Sequence, residues 1–259
     1  MTIYSGSADP DRVLPLLWRH AAGTDAAAPT AGRKPGLTID AVVAAGIGVA
    51  DALGLEALSM SRVAGQLGVG TMTLYTYVPS KGELLDLMVD SVLATAEWPS
   101  AEGPWRCQVT RYADVVRGMY RRHVWLGQVS TVRPPIGPGM LGESEYVLSA
   151  LADLSLPPRE RTAAAHAITM LAHAIGREEA EAAYLERVTG QSNDAWWGDR
   201  MELWEKYFEP ERHPAMTAAW EGGGYDETTT SQTSHAAEFA LKCLLDGLGG
   251  ASDEANQSS

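Results

Sequence analysis

The sequence predicts an all-α protein in which a small helix-turn-helix domain precedes a larger helical domain. Apolar residues recur at intervals of three and four through most of the chain, no segment alternates as a strand does, and Gly- or Pro-containing breaks separate the periodic segments. The length of 259 residues suffices for two domains. We therefore predict a flexible arm at 1–36, the helix-turn-helix domain at 37–83, the larger helical domain at 84–248 and a disordered tail at 249–259.

The first helix of the small domain is predicted from its cap and its apolar stripe. Thr38 is a good N-cap residue, and the stripe that follows it ends at Gly54. The preceding arm is rich in small residues and breakers and has too few apolar residues to pack a core. We expect in it at most a short helix around 13–18.

Two short helices joined by a tight turn follow the first helix. Ser59 caps one of them, which stops at Gly68, and the other runs from about Gly70 to Tyr77 because Pro79 ends it. This arrangement is a helix-turn-helix. The next four residues, Ser-Lys-Gly-Glu at 80–83, form a capping box that starts a fourth helix, whose exposed N-terminus is suited to a phosphate.

The rest of the chain is Ala- and Leu-rich and is predicted to be helical. A Pro- and Gly-rich segment at 133–139 is expected to form a rigid turn. The expected helices lie near 105–119, 121–130, 140–153, 158–189, 194–208 and 231–248.

The charge of the chain is strongly negative but unevenly distributed. A net charge of −13 argues against indiscriminate coating of nucleic acid, which requires clustered Lys and Arg. Residues 57–82 nevertheless contain no carboxylate and carry Arg62 and Lys81. A polyanion is therefore expected to approach this window.

Other compositional features predict a soluble cytoplasmic protein without cofactor or metal. Asp51 and Glu56 interrupt the best early apolar run, and no basic region precedes the first apolar cluster as in a secretion signal. The two cysteines, Cys107 and Cys243, have neither metal-ligand nor redox spacing and are expected to be buried thiols.

The residues of this predicted helix-turn-helix domain resemble the DNA-binding domain of the tetracycline-repressor (TetR) family throughout 37–93. The resemblance implies a homodimer that binds double-stranded operator DNA and is released when a small-molecule effector binds. The segments that carry it are 54–60, 63–75 and 78–85, and, more weakly for the ligand-binding and dimerising half, 105–126, 133–135 and 239–248.

The predicted DNA contacts lie on the third helix and at the start of the fourth. Hydroxyl groups there suit phosphates and base edges. The resemblance implies that Thr73 and Tyr75 occupy DNA-contacting positions and that Lys81 binds a phosphate. Tyr77 and Gly82 replace a histidine and an acidic residue common in the family, so base preference is not transferred there. The predicted set is Thr71, Thr73, Tyr75, Tyr77 and Lys81.

The arm offers a further basic pair, Arg33 and Lys34. Such a pair can reach the minor groove or the DNA backbone, as the arms of other helix-turn-helix proteins do. A basic pair in a disordered arm is more simply interpreted as solvated, and we leave both residues outside the predicted site.

The predicted effector is a largely apolar small molecule that acts through the fourth helix. Its candidate contacts are large or polar groups on helices expected to converge, namely Trp125, Tyr146, Met170, His173 and Arg177. His166 and His173 lie seven residues apart on one helical face, so they are compatible with a ligand site, a metal site or ordinary packing. Dimerisation is expected through helices near 158–180 and 231–248.

Two other classes of function are alternatives to this interpretation. An enzyme is disfavoured because the chain has no Gly-x-Ser-x-Gly, no His-Glu-x-x-His and no Gly-rich phosphate loop. A helical small-molecule-binding or scaffold protein without DNA binding would explain the acidity. It would not explain the carboxylate-free window at 57–82.

Overall fold

The computed structural model describes residues 3–6, 8–21 and 37–257 and confirms the predicted all-α class. The chain divides into two compact units, one up to Ala180 and the other from Glu181 onward. The first unit contains α1 (Pro10–Leu17), α2 (Ile39–Leu53), α3 (Met60–Gln66), α4 (Thr71–Tyr75), α5 (Lys81–Ala94), α6 (Trp105–Arg122), α7 (Pro138–Ala150) and most of α8 (Pro158–Thr189). The second contains α9 (Asn193–Gly198), α10 (Met201–Lys206), α11 (Pro214–Glu221) and α12 (Thr229–Gln257).

The remaining regular elements are short. Three 3₁₀ turns cover Leu55–Ala57, Val124–Gln128 and Pro210–Arg212. Two-residue strands β1 (Ile3–Tyr4) and β2 (Val129–Ser130) pair in parallel.

The helix starts of the small domain follow the predicted caps. The Thr38 side chain accepts a hydrogen bond from the Ala41 N–H at 3.1 Å, and that of Ser59 accepts one from the Arg62 N–H at 3.3 Å. The turn between α3 and α4 contains Gly68 at φ +67°, a left-handed conformation that favours glycine. Local sequence therefore sets where these helices begin and turn.

A small apolar core fixes the orientation of α4. Leu74 and Val78 are fully buried, together with Val63 and Val42 from the two preceding helices. Because one face of α4 is held in this core, its opposite face is presented to solvent.

Helix α5 packs closely against the start of α7, where Gly137 and Gly139 lie. A Cβ atom built on Gly139 would lie 2.1 Å from the Asp90 carbonyl oxygen and 2.6 Å from the Ala94 nitrogen. The Asp90 carboxylate accepts hydrogen bonds from the backbone N–H groups of Gly139 and Met140, the latter at 3.0 Å. Burial raises the pKa of Asp90, so this carboxyl group caps α7 in a desolvated position.

Both predicted chain ends differ from the structure. Residues 3–6 and 8–21 of the expected flexible arm form β1 and α1, where Val13 and Leu17 are buried, while 22–36, including Arg33 and Lys34, lie outside the described residues. The expected disordered tail is wrong as far as 257, because α12 continues to Gln257. An established helix propagates at little cost, so small polar residues do not end it.

Several element boundaries were also wrong. The third helix is Thr71–Tyr75, shorter than expected, and the expected helix at 121–130 is a 3₁₀ turn followed by β2. The expected helix at 194–208 is split into α9 and α10. Both cysteines are free and exposed, so the expectation of buried thiols was wrong. A small apolar side chain favours burial, but it does not fix which face of a helix it occupies.

The contact at Gly139 predicts a large effect from adding one methyl group. Gly139→Ala should lower the free energy of unfolding by about 1–3 kcal/mol, because the methyl group would meet backbone atoms of α5 that cannot move independently. Urea unfolding measures this change. Gly142→Ala on the same helix is the matched control, since its Cβ meets nothing within 4 Å. It should be neutral or stabilising by up to about 1 kcal/mol; equal effects of the two changes would contradict the close approach.

Candidate DNA-binding surface and ligand cavity

The solvent face of α4 is polar and uncharged. Met72 is 78% exposed and Tyr75 40%, and Thr73 is also exposed. Thr71 and Tyr77 are half-buried. All four predicted hydroxyl residues of this region are therefore at least partly accessible, and their contacts with DNA stay predictions.

The start of α5, six residues after the end of α4, carries an exposed lysine and a buried carboxylate. Lys81 is exposed, whereas Glu83 is buried and accepts a hydrogen bond from the Ser80 hydroxyl. Ser80 in turn accepts one from the Gly82 N–H at 3.0 Å. The predicted capping box is thus modified, because the Glu83 side chain binds the capping hydroxyl in place of a backbone N–H. Glu83 therefore does not expose its carboxylate beside Lys81.

A cavity of about 780 Å³ lies within the first unit. Its wall is largely apolar, and helices α5 to α8 together with residues 130–134 form it. The lining residues are Val89, Leu93, Met119, Tyr120, Leu126, Ser130, Thr131, Val132, Pro134, Met140, Glu143, Ser144, His166, Thr169, Met170, His173, Ala174 and Arg177. Its volume falls in the range of small-molecule sites.

A buried hydrogen-bond network forms one polar side of the cavity. Glu143, 5% exposed, accepts a hydrogen bond from the Tyr112 hydroxyl at 2.8 Å and lies 2.7 Å from His173 Nε2. His173 Nδ1 lies 3.1 Å from the Tyr120 hydroxyl oxygen. Burial raises the pKa of Tyr112 well above its ordinary value and also raises that of Tyr120, so both phenols are donors. The network is satisfied when His173 donates from Nε2 and accepts at Nδ1.

Arg177 connects the cavity to the segment that borders it. Its guanidinium donates hydrogen bonds to the Gly127 carbonyl oxygen at 3.2 Å and to the Val129 carbonyl oxygen at 2.8 Å. Charged donors make stronger hydrogen bonds than neutral ones. A ligand group that competes for this guanidinium would therefore loosen the bordering segment.

The structure brings together three of the five predicted ligand contacts. Met170, His173 and Arg177 line the cavity, and His166 lines it as well. Trp125 is absent from the lining because its indole N–H donates to Asp51 at 2.8 Å. The roles of Met170, His173 and Arg177 toward a ligand stay predictions. Trp125 was misplaced because the large size of an aromatic residue indicates burial but not the cavity into which it points.

Tyr146 also lies away from the cavity lining. Its ring stacks on Tyr112 at 6.0 Å between centroids, and its hydroxyl group donates to the Gln108 carbonyl oxygen at 3.3 Å. The neighbouring Glu143, which does line the cavity, was missed. Its signal is visible in the sequence, because Met140, Glu143 and Val147 share one helical face and a lone carboxylate interrupts that apolar face.

Of the two histidines, His173 lies beside the carboxylate of Glu143. Within the described residues, no three His, Cys, Asp or Glu side chains are arranged to hold a metal ion. Of the two glutamates that follow Arg177, Glu179 forms an ion pair with Arg117 at 2.5 Å, while Glu178 is exposed.

A helix-turn-helix without carboxylates in residues 57–82 is followed by helix α5, which begins at Lys81 and lines a ligand-sized cavity. This combination defines a ligand-responsive, DNA-binding transcriptional regulator. Residues 99–251 match the family described as "Tetracyclin repressor-like, C-terminal domain". The chain belongs to the TetR family of transcriptional regulators, as its helix-turn-helix residues predict.

Known relatives support this assignment over most of the chain. It is 39% identical to the HTH-type transcriptional repressor DrrR1 of Streptomyces coeruleorubidus over 246 residues, 94% of this chain and 87% of the repressor. Apo ActR from Streptomyces coelicolor has 28% identity and a TM-score of 0.70, covering 86% of this chain and 100% of ActR. ActR in complex with actinorhodin has 26% identity and a TM-score of 0.69, covering 83% and 96%.

Among the helices built by residues 3–6, 8–21 and 37–257, none combines the length and the apolar character that crossing a membrane requires.

Proposed function

We propose that this chain is a homodimeric repressor that binds a pseudo-palindromic operator and releases it when a small molecule enters the cavity. The observation that carries the proposal is the course of α5. Its first residue, Lys81, is exposed six residues after the end of α4, and Val89 and Leu93 further along the same helix line the cavity. A tilt of one rigid helix therefore moves both sites together.

In the DNA complex, α4 lies in the major groove and the start of α5 lies against the backbone. Thr71, Thr73, Tyr75 and Tyr77 supply hydroxyl groups for base edges and phosphates, and Lys81 neutralises a phosphate at the N-terminus of α5. The absence of carboxylates from 57–82 supports this docking, because a nearby negative charge would repel the backbone.

The ligand is a largely apolar molecule with at least one polar group directed at His173 and Arg177. Support comes from the lining, in which Met170 and other apolar side chains surround these two polar ones. The related ActR was solved with actinorhodin, so actinorhodin is the first compound to test.

The homodimer forms through apolar faces that a single copy leaves exposed. On α8, Met170 is 59% exposed, and on α12, Phe239 is 64% exposed. Large apolar side chains exposed on long helices are typical of helical dimer interfaces. The regulator acts in the cytoplasm, where its operator is accessible.

Substitutions at Lys81 and Thr73 test the docking on DNA. Lys81→Ala should weaken binding to all duplexes and reduce the salt slope of log K by about one, because one phosphate contact is lost. Thr73→Ala should cost about 1–3 kcal/mol at one base pair and leave the salt slope unchanged. Binding is measured by gel shift on a duplex selected by the parent protein at several salt concentrations.

The matched control is Lys206→Ala, an exposed lysine paired with Glu202 on α10. It should leave both affinity and salt slope at parent values. If Lys81→Ala behaves like Lys206→Ala, the proposed position of α5 on the backbone is wrong.

A titration with actinorhodin tests the cavity. The compound should quench tryptophan fluorescence and release the operator over one concentration range. His173→Ala should shift both curves by about threefold to tenfold, the value of one hydrogen bond. Tyr146→Phe, outside the lining, should shift neither curve. No response to actinorhodin would refute the transfer of ligand from ActR, and quenching without release would refute the coupling.

Sedimentation of a charged variant tests the dimer. Phe239→Glu should yield monomers and abolish operator binding, because a carboxylate in an apolar interface carries a desolvation penalty. The exposed position of Phe239 in one copy makes unfolding an unexpected outcome. Lys242→Ala on the same helix should stay dimeric; dimers of Phe239→Glu would place the interface elsewhere.

A further inference from the structure

The N-terminal segment formed by residues 3–6 and 8–21, here called the strap, joins the border of the cavity to α2, the first helix of the helix-turn-helix domain. Its start pairs with β2, its middle contacts α5, and its end reaches α2. Residues 129–136, here called the rim, are its partner beside the cavity. The strap belongs neither to the helix-turn-helix nor to the cavity lining.

Backbone hydrogen bonds hold the start of the strap on the rim. The Ser5 N–H donates to the Ser130 carbonyl oxygen at 3.1 Å, and the Ser5 hydroxyl group lies 3.2 Å from the carbonyl oxygens of Ser130 and Arg133. Further along the strap, the Trp18 indole N–H donates to the Ile136 carbonyl oxygen at 2.9 Å. The rim is therefore bonded to the strap at both of its ends.

The middle of the strap is bonded to α5. The Gly6 N–H donates to Asp86 Oδ1 at 2.7 Å, and Asp86 is buried. Gly6 has φ +69°, and a Cβ built there would lie 2.3 Å from the Arg133 carbonyl oxygen. Only glycine fits between the rim and α5 at this point without displacing backbone.

The end of the strap is bonded to α2. Two nitrogen atoms of the Arg19 guanidinium lie 3.0 and 2.5 Å from Asp40 Oδ1, and His20 Nε2 lies 3.1 Å from the same oxygen. Asp40 lies in the first turn of α2. A displacement of the strap is thus transmitted to the helix that packs on α3 and α5.

The rim is also held from inside the cavity. Ser130, Thr131, Val132 and Pro134 line the cavity, and Arg177 donates to the Val129 carbonyl oxygen at 2.8 Å. The strap and any occupant of the cavity therefore act on the same rim residues from opposite sides.

We infer that the strap is a second connection, besides α5, through which a change at the cavity reaches the helix-turn-helix. Loosening of the rim frees the start of the strap, and Arg19 carries the change to the first turn of α2. The coupling itself does not depend on the proposed repressor function. Its effect on operator release does rest on that function, and the test below uses neither DNA nor effector.

Hydrogen–deuterium exchange of the full chain tests the inference, with Arg177→Ala as the perturbation. Removing the guanidinium releases the rim from the cavity side. Exchange should rise by about threefold or more, the effect of losing one hydrogen bond, both in the rim and in the first two turns of α2. When Arg19→Ala is also present, Arg177→Ala should still accelerate exchange in the rim but should cause a smaller change in α2, because only the contacts of α5 and His20 with α2 remain.

Two further variants make the result specific to the strap contacts. Arg12→Ala is the matched control, because its partner Asp9 lies within the strap, and it should leave the response of α2 intact. Gly6→Ala breaks the strap at the rim and should reduce that response; Arg19→Ala decides the matter if Gly6→Ala does not fold. The inference is overturned if α2 does not respond to Arg177→Ala, or responds equally with and without Arg19, or loses its response in Arg12→Ala.

Discussion

The close packing of α5 against α7 is the constraint on which the rest of the structure depends. Ten of the 14 residues of α5 are buried, and the backbone of α7 touches it where Gly139 leaves no room for a side chain. A helix enclosed to this degree moves as a rigid body or not at all. Because it begins at Lys81, the proposed phosphate contact, and lines the cavity further along, its position relates the two proposed sites directly.

Local chemistry explains which features could be predicted from the sequence. The starts of α2 and α3 follow from Thr38 and Ser59, whose side chains satisfy N–H groups three residues away. The start of the strap depends instead on partners 80 to 128 residues away. Its small residues therefore predicted an unstructured arm when only local sequence was considered. Trp125 and Tyr146 were predicted as ligand contacts because they are large, but the direction of an aromatic ring depends on distant partners, here Asp51 and Tyr112.

Buried polar groups account for most of what the sequence did not indicate. Asp86 lies on a helix whose spacing looks like that of an ordinary core, and Glu143 interrupts an apolar helical face, yet each is buried with hydrogen-bond donors. A buried carboxylate without such partners would be strongly destabilising, so each requires a specific neighbour in space. Those neighbours are the network at the cavity and the strap, the two features that a periodicity argument cannot supply.

The same placement of carboxylates reconciles an acidic chain with a DNA-binding surface. Three acidic residues follow Lys81 within ten positions of α5, but all are buried. Glu83 is bonded by the Ser80 hydroxyl, Asp86 by N–H groups of the strap, and Asp90 by those of α7. Electrostatic repulsion of a phosphate depends on where charges lie and how they are paired rather than on their sum. Contacts that position α5 thus also keep its carboxylates away from the surface on which Lys81 lies.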